Sequence, residues 1–356
     1  MKKHNYSAGP CILPQSVLKQ AAESVVEFNG SGLSLIEISH RSKAFVDVME
    51  EARSLVKELL NLPSGYEVLF LQGGASLGFL TAAYNFNASG KTAGYMNTGT
   101  WSKKAIKEAK TLSDVQVIAS SEDSTFDHIP AYPGADTETV HITTNNTIFG
   151  TQYQSFPEVS GDQMLIADMS SDIFSQTFDA SKFDMIYAGA QKNMGPAGTV
   201  MYVVNTNKLG KTGRSIPSYL DLQVHLDKDS MFNTPPVFAI YTSMLTLRWL
   251  KELGGVSEIE KINNAKAELL YSEIDKNPLF TGHAQKDSRS KMNVTFRLTN
   301  DDLAGAFDEM WNAAGINGLK GHRSVGGYRA SMYNALPIES VQVLVNVMKE
   351  LENKKG

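Results

Sequence analysis

At 356 residues with 42% apolar side chains, the chain exceeds one small domain and can bury one large core and a second, smaller one. Lys and Arg number 33 against 38 Asp and Glu, giving a net charge of -5 with no block of like charge beyond the short Lys354-Lys355 tail, which disfavours nucleic acid and anionic membranes as partners. No window approaches the roughly 20 apolar residues of a membrane span, and Met1-Lys2-Lys3-His4-Asn5-Tyr6 lacks the apolar stretch of a secretory signal, so a cytoplasmic protein is expected.

The chain opens with an arm ending in Ser7-Ala8-Gly9-Pro10. Cys11, the only cysteine, has no partner for an intrachain disulfide, suits a reducing compartment and reads as a small apolar side chain. From Pro14 to Phe28 the spacing of Val17, Leu18, Ala21, Val25 and Phe28 predicts a helix. A second helix follows Ser42, where Phe45, Val48, Met49, Ala52, Leu55, Val56, Leu59 and Leu60 mark one stripe. The rhythm then changes to short apolar runs that predict strands: Val68-Leu71, Ala93-Met96, Val115-Ala119, Val140-Thr143, Met164-Ala167, Met185-Ala188 and Thr199-Val204. Helical or loop segments between them indicate a mostly parallel sheet covered on both faces. Only Gly189 to Gly198 separates the last two runs, so they can pair antiparallel, and a mixed sheet of about seven strands is expected.

Beyond Pro235-Pro236 a helical pattern runs from Val237 to Leu253, breaks at Gly254-Gly255 and resumes to about Asp275. A strand (Asn293-Leu298), a helix (Leu303-Ala314), a glycine-rich segment (Gly315-Gly327) and a last helix (Ile338-Leu351) follow. The expected organisation is a large α/β domain over 15-255 and a smaller α+β domain over 256-356, joined by the arm 1-14, with no internal repeat.

Four features carry chemistry. Lys192, in Ala190-Gln191-Lys192-Asn193-Met194-Gly195-Pro196, directly follows an apolar strand and precedes a tight turn, a setting that can lower an amine's pKa for Schiff-base chemistry. Alone, a loop lysine is better read as exposed. Asp168 ends another strand 24 positions earlier, placing a carboxylate at the same sheet edge; alone it reads as a helix cap. Leu71-Gln72-Gly73-Gly74-Ala75-Ser76 leads from a strand into a helix at about Leu77, and its small residues let backbone N–H groups approach an anion at the helix N-terminus, though it matches neither dinucleotide nor P-loop spacing. Trp101, just past a strand, can stack on a planar ring or fill the core.

These features recur in one order at strand ends, and the chain resembles the phosphoserine aminotransferases, class V, fold-type I pyridoxal-phosphate enzymes. The resemblance spans nearly the whole length, from Asn5-Tyr6-Ser7-Ala8-Gly9-Pro10 to the long motif from Gly321-His322-Arg323-Ser324 to Tyr333-Asn334-Ala335. It implies Lys192 as the Schiff-base lysine, Asp168 as the partner of the pyridine nitrogen, and Ala75, Ser76 and Gln191 as phosphate contacts. It also implies Trp101 as the stacking aromatic, Thr147 as the partner of the ring hydroxyl, and Asn233-Thr234 as a reach to the neighbouring subunit's cofactor phosphate, hence a homodimer with shared sites.

The implied reaction moves an amino group between glutamate and 3-phosphooxypyruvate, in serine biosynthesis, with a phosphorylated hydroxythreonine of pyridoxine biosynthesis left open. Both amino acids carry two anionic groups, which guanidinium holds bidentately. The resemblance assigns Arg329 to the α-carboxylate and the pairs His40-Arg41 and His322-Arg323 to the distal anion; either pair alone reads as solvated surface. Gly78 departs from the family, many of whose members carry glutamine there, and Ala75-Ser76 stands where some have Gly-Arg. Backbone donors survive such changes, so phosphate binding is expected to survive. A class V transaminase acting on alanine or serine with glyoxylate or pyruvate would not need two His-Arg pairs, and a noncatalytic pyridoxal-phosphate carrier would need neither Lys192 nor the arginines.

Overall fold

A computed structural model describes residues 3–355; Met1, Lys2 and Gly356, expected in the arm and at the end of the C-terminal domain, lie outside the described residues. The seven apolar runs form one sheet: Tyr66–Leu71 (β1), Thr92–Asn97 (β2), Asp114–Ser120 (β3), Thr139–Thr143 (β4), Met164–Asp168 (β5), Met185–Gly189 (β6) and Val200–Asn205 (β7). Their order is β1-β7-β6-β5-β4-β2-β3, and only β7 runs antiparallel to its neighbours. The short link between β6 and β7 makes an antiparallel pair, whereas the longer links return each strand parallel to the last.

The period-2 alternation of side chains sends Val68, Val140, Leu165, Ile186 and Met201 to one face and Leu69, Ile166, Tyr187 and Tyr202 to the other. The first face is covered by Gln15–Val26 (α1), Lys43–Leu59 (α2) and the helix Val237–Glu252. The second is covered by Gly74–Phe86 (α3), Thr100–Ala109 (α4) and the short Leu222–Leu226 (α5). Side chains of the inner strands thus pack against helix on both faces, which explains why those strands read as almost unbroken apolar runs, whereas the edge strand β3 stays partly exposed, with Val117 facing solvent. Helix α3 begins three residues earlier than its apolar pattern indicated. Gly73 and Gly74, at φ of 98° and 59°, make the turn themselves, and a Cβ at Gly73 would lie 2.4 Å from the Leu77 side chain.

Val237–Glu252 (α6) leads through Gly254-Gly255 into Val256–Lys276 (α7), whose first turn packs Val256 and Ile259 in the large core and whose later turns pack Ala267, Leu270 and Ile274 in a second core. That second core lies between α7, Ala304–Ala313 (α8), Ile338–Lys355 (α9) and the antiparallel sheet of Phe280–Gly282 (β8), Asn293–Leu298 (β9) and Tyr328–Ser331 (β10). Strands β8 and β10, at three and four residues, are too short to leave an alternation that sequence can reveal. The arm inserts Tyr6 and Ile12 into the second core, and its His4–Asn5 pairs in parallel with Ile316–Asn317.

Candidate active site

The C-terminal edge of a parallel sheet leaves strand ends and helix N-termini facing one crevice. Here Thr143 ends β4 and Asp168 ends β5 as register partners, and Lys192 stands three residues past the end of β6. A tight turn holds that lysine: the N–H groups of Lys192, Met194 and Gly195 all donate to Ala190 O, at 2.7, 3.2 and 2.7 Å. Gly195 permits the close approach of α6, since a Cβ there would lie 2.4 Å from Ser243 Oγ. A cavity of about 380 Å³ opens at this edge, lined by Gly74, Ala75, Ser76, Trp101, Thr147, Asp168, Gln191, Lys192, His322 and Arg329 among others.

Lys192 lies on its floor. Its Nζ donates to Thr147 Oγ1 at 3.1 Å and sits 5.9 Å from the centre of the Trp101 ring. Burial pulls the ammonium from its ordinary value of 10.5 to about 8; Asp168 and Asp172 push it back up, and Arg329 adds to the depression. The arm covers the lysine from outside. Cys11 Sγ donates to Lys192 O at 2.7 Å, and Gly9, whose φ of 136° favours glycine, lies against the stem, where a Cβ would make ordinary contact at 3.4 Å from Lys192 Cγ.

Asp168 is buried and accepts the Ser170 N–H at 2.9 Å. Burial raises its carboxyl, while the Ser170 hydrogen bonds and the Lys192 charge work the other way. The N-terminus of α3 has no side-chain cap, so its first N–H groups are free to face the cavity, and Ala75 and Ser76 sit on that turn. Trp101, in the first turn of α4, contributes its ring, and its buried Nε1 has no partner. An amine that is partly neutral at neutral pH, a buried carboxylate, an aromatic face and an uncapped helix N-terminus together suit a flat aromatic aldehyde bearing a basic ring nitrogen and a phosphate.

Of the arginines and histidines expected in the site, Arg329 and His322 line the cavity. Arg329 Nη1 approaches Thr147 O at 3.4 Å, and its buried Nε has no partner, which leaves donor capacity for an anion. His322 Nδ1 pairs with Ser324 Oγ at 2.7 Å. Arg323 is exposed on the same turn, Arg41 is exposed ahead of α2, and half-buried His40 keeps an unpaired Nε2; none of the three lines the cavity of this chain. Asn233 and Thr234 are also exposed outside it, where Asn233 Nδ2 donates to Gln72 Oε1 at 2.9 Å and Thr234 O accepts from Gln72 Nε2 at 2.8 Å.

The structure adds residues that the sequence reading passed over. Thr143, with an unpaired buried Oγ1, Asn145, Ser170, Ser171 and Ala8 all line the cavity. Their signal was position: Thr143 ends a strand next to Asp168, and the serines follow Asp168 in its turn.

The class-V aminotransferase family profile matches residues 4–344. The chain is 64% identical to the phosphoserine aminotransferase of Flavobacterium psychrophilum, over 99% of this chain and 100% of that one. It is similar to the solved phosphoserine aminotransferase of Bacillus circulans subsp. alkalophilus, at 41% identity and a TM-score of 0.96 over 100% and 99% of the two chains. It is also similar to the PLP-bound phosphoserine aminotransferase of Trichomonas vaginalis, at 35% identity and a TM-score of 0.92 over 98% and 100%.

Proposed function

This chain belongs to the class-V aminotransferase family, among its phosphoserine aminotransferases, and on that premise we propose that it transfers the amino group between glutamate and 3-phosphooxypyruvate, giving O-phosphoserine and 2-oxoglutarate. The cofactor is pyridoxal phosphate, the group that the Trichomonas vaginalis relative binds. The observation that carries the reading is the meeting in one cavity of Lys192, Asp168, Arg329 and the uncapped start of α3. When bound, the cofactor supplies the aldehyde that takes the amino group and the electron-poor ring that stabilises charge at the substrate Cα.

Each assigned residue has a physical task. Lys192 Nζ would be the attachment amine and, once displaced by the donor's amino group, the base that takes the proton from the donor Cα and delivers it to the carbon that bore the aldehyde; burial, which lowers its pKa to about 8, favours the free amine. Asp168 would keep a proton on the ring nitrogen. Ala75, Ser76 and Gln191 would hold the phosphate, Trp101 would face the ring and Thr147 the ring hydroxyl. Arg329 grips the α-carboxylate and His322 lines the same cavity for the distal anion, while Arg323, His40 and Arg41, outside this chain's own cavity, are assigned to that anion on the family resemblance alone.

We further read the protein as a cytoplasmic homodimer of chains divided at 15–255 and 256–356, with the arm on the second lobe. Two separate apolar cores support the division. The solvent-facing Leu33, Ile36 and Phe232 support the pairing, as do Asn233 and Thr234, which lie outside their own cavity where a partner's site can use them. Among the described residues no helix is long and apolar enough to cross a membrane.

A coupled assay with phosphoserine and 2-oxoglutarate tests the assignment. Turnover is expected; activity with alanine and glyoxylate but none with phosphoserine would transfer the chain to a different class V activity.

A further inference from the structure

Behind the cavity lies a second buried lysine, to which the reaction gives no task. Lys266, on α7, is 0% exposed, and its Nζ donates to Met332 O at 3.0 Å, Tyr333 O at 3.0 Å and Leu336 O at 3.2 Å; among the described residues no carboxylate pairs with it. A neutral amine has two hydrogens and would turn its lone pair on the third oxygen, so only the ammonium satisfies all three carbonyls. Burial lowers the pKa to about 7 and Cys11 opposes the fall, while the third carbonyl adds to the hold on the proton. Glutamine does not replace this group: an amide offers two N–H groups beside an oxygen that the carbonyls repel.

The three carbonyls belong to the segment that follows β10, the strand that carries Arg329. That segment also reaches the cavity floor. Asn334 N–H donates to Oδ1 of Asn193, the neighbour of Lys192, at 3.0 Å, and Asn334 Nδ2 donates to Phe174 O, in the turn after Asp168, at 2.9 Å. Tyr333 OH donates to Ala8 O, on the cavity wall, at 2.7 Å. One turn before Lys266, Asn263 Nδ2 donates to Asn334 Oδ1 at 2.9 Å and to Ser175 O at 3.0 Å, so one face of α7 clasps the segment against the large lobe.

We propose that Lys266 is a positioning residue of the transamination site: its ammonium gathers the carbonyls of Met332, Tyr333 and Leu336, and so fixes the segment that ties Arg329 to the turn of Lys192.

Without the charge, three carbonyl oxygens converge on an apolar space with the negative ends of their dipoles facing one another, and each loses a buried donor. The segment relieves this by spreading. Its contact with Asn193 and its junction with β10 then loosen together, because four residues separate Ser331 from Leu336 and the three carbonyls fall within them.

The inference rests on the proposed transamination, and its test separates the two. Lys266→Met keeps an unbranched stem and removes the charge; Lys266→Gln keeps two N–H groups and removes the charge. Well below the melting point of each variant, the Kd of the apoprotein for pyridoxal phosphate, per folded chain, is expected to rise roughly tenfold in both. In the holoenzyme, KM for glutamate and for phosphoserine should rise together by about tenfold, since both present their α-carboxylate to Arg329. A lysine that only supported the fold would lower the melting point and leave these quantities at wild-type values, and that result overturns the proposal. Wild-type values in Lys266→Gln alone overturn the need for charge. Asn334→Ala cuts the link to Asn193 and Phe174 with Lys266 in place, and is expected to reproduce the weaker cofactor binding; a wild-type Kd there overturns the proposal, and this variant decides it if neither Lys266 variant folds. If the protein turns over alanine and glyoxylate but not phosphoserine, the proposed reaction falls, while the cofactor Kd still decides the role of Lys266.

Discussion

Gly78 lies flat against Tyr187: a Cβ built at position 78 would stand 2.7 Å from Tyr187 Cδ2 and 3.1 Å from Cε2. Tyr187 is fully buried on β6 as the register partner of Asp168, and its hydroxyl is 2.8 Å from His141 Nε2. The absence of a side chain at position 78 is therefore set by the ring beneath it. Helix α3, whose first turn lines the cavity, rests on the same tyrosine that neighbours the strand end carrying Asp168.

Gly78→Ala forces the ring or the helix to move. Overpacking of this kind costs about 1–3 kcal/mol, and a lowered unfolding midpoint in a thermal melt is expected. A wild-type midpoint would mean that the helix shifts without resistance.

Lys192→Ala removes both the attachment amine and the proton carrier. Transamination should fall by about 10³-fold or more, with the yellow colour of the purified protein altered. Wild-type turnover in the same assay would remove Lys192 from the mechanism.

The pH response of the apoprotein follows from Lys192, held at about 8 against an ordinary 10.5. Between these two values the unfolded chain binds more protons than the folded one, so this group makes stability rise with pH across that window; below about 8 its penalty is constant. Denaturant unfolding of wild type and Lys192→Met at pH 8 and pH 10 should show a larger gain with pH for wild type, and equal gains would contradict the depressed value.

Arg329→Ala leaves an anion site without its bidentate donor. Loss of a charged hydrogen-bonded contact of about 1.5–3 kcal/mol corresponds to a rise of roughly 10–100-fold in KM for glutamate and phosphoserine alike. Steady-state kinetics with each substrate varied in turn measures this, and unchanged KM values would reassign the carboxylate site.

Asn293 joins both lobes and the arm. Its Oδ1 accepts from Asn145 Nδ2 at 2.7 Å; its Nδ2 donates to Ser331 Oγ at 3.0 Å and Tyr333 OH at 3.2 Å, and Tyr333 OH donates to Ala8 O at 2.7 Å. Asn293→Ala orphans several buried groups and should destabilise by about 2–3 kcal/mol. Chemical denaturation reads the loss, and a change below about 0.5 kcal/mol would show that water replaces the amide.

The sheet and the long helices were legible in sequence because burial writes itself as period: Met164-Ala167 and Met185-Ala188 are apolar on both faces, while Phe45 to Leu60 is apolar on one. Short pieces were not. The turn of Gly73 and Gly74 hides the true start of α3, and Tyr328–Ser331 is too brief to show alternation. Strand ends likewise pointed to Lys192 and Asp168, since a chemically unusual residue directly after an apolar run marks a sheet edge.

From sequence alone came the α/β class, the seven strands, the lysine and the acid at their ends, and a full-length family resemblance, all of them properties of local pattern and chain order. Tertiary packing decided the convergence: Gly9 and Cys11 over Lys192 across more than 180 positions, Thr144 and Gln152 on Asp172, and Arg329 and His322 inside the cavity while His40, Arg41 and Arg323 stay outside it. Such contacts leave no periodic trace, because they join residues whose separation along the chain bears no relation to their distance in space.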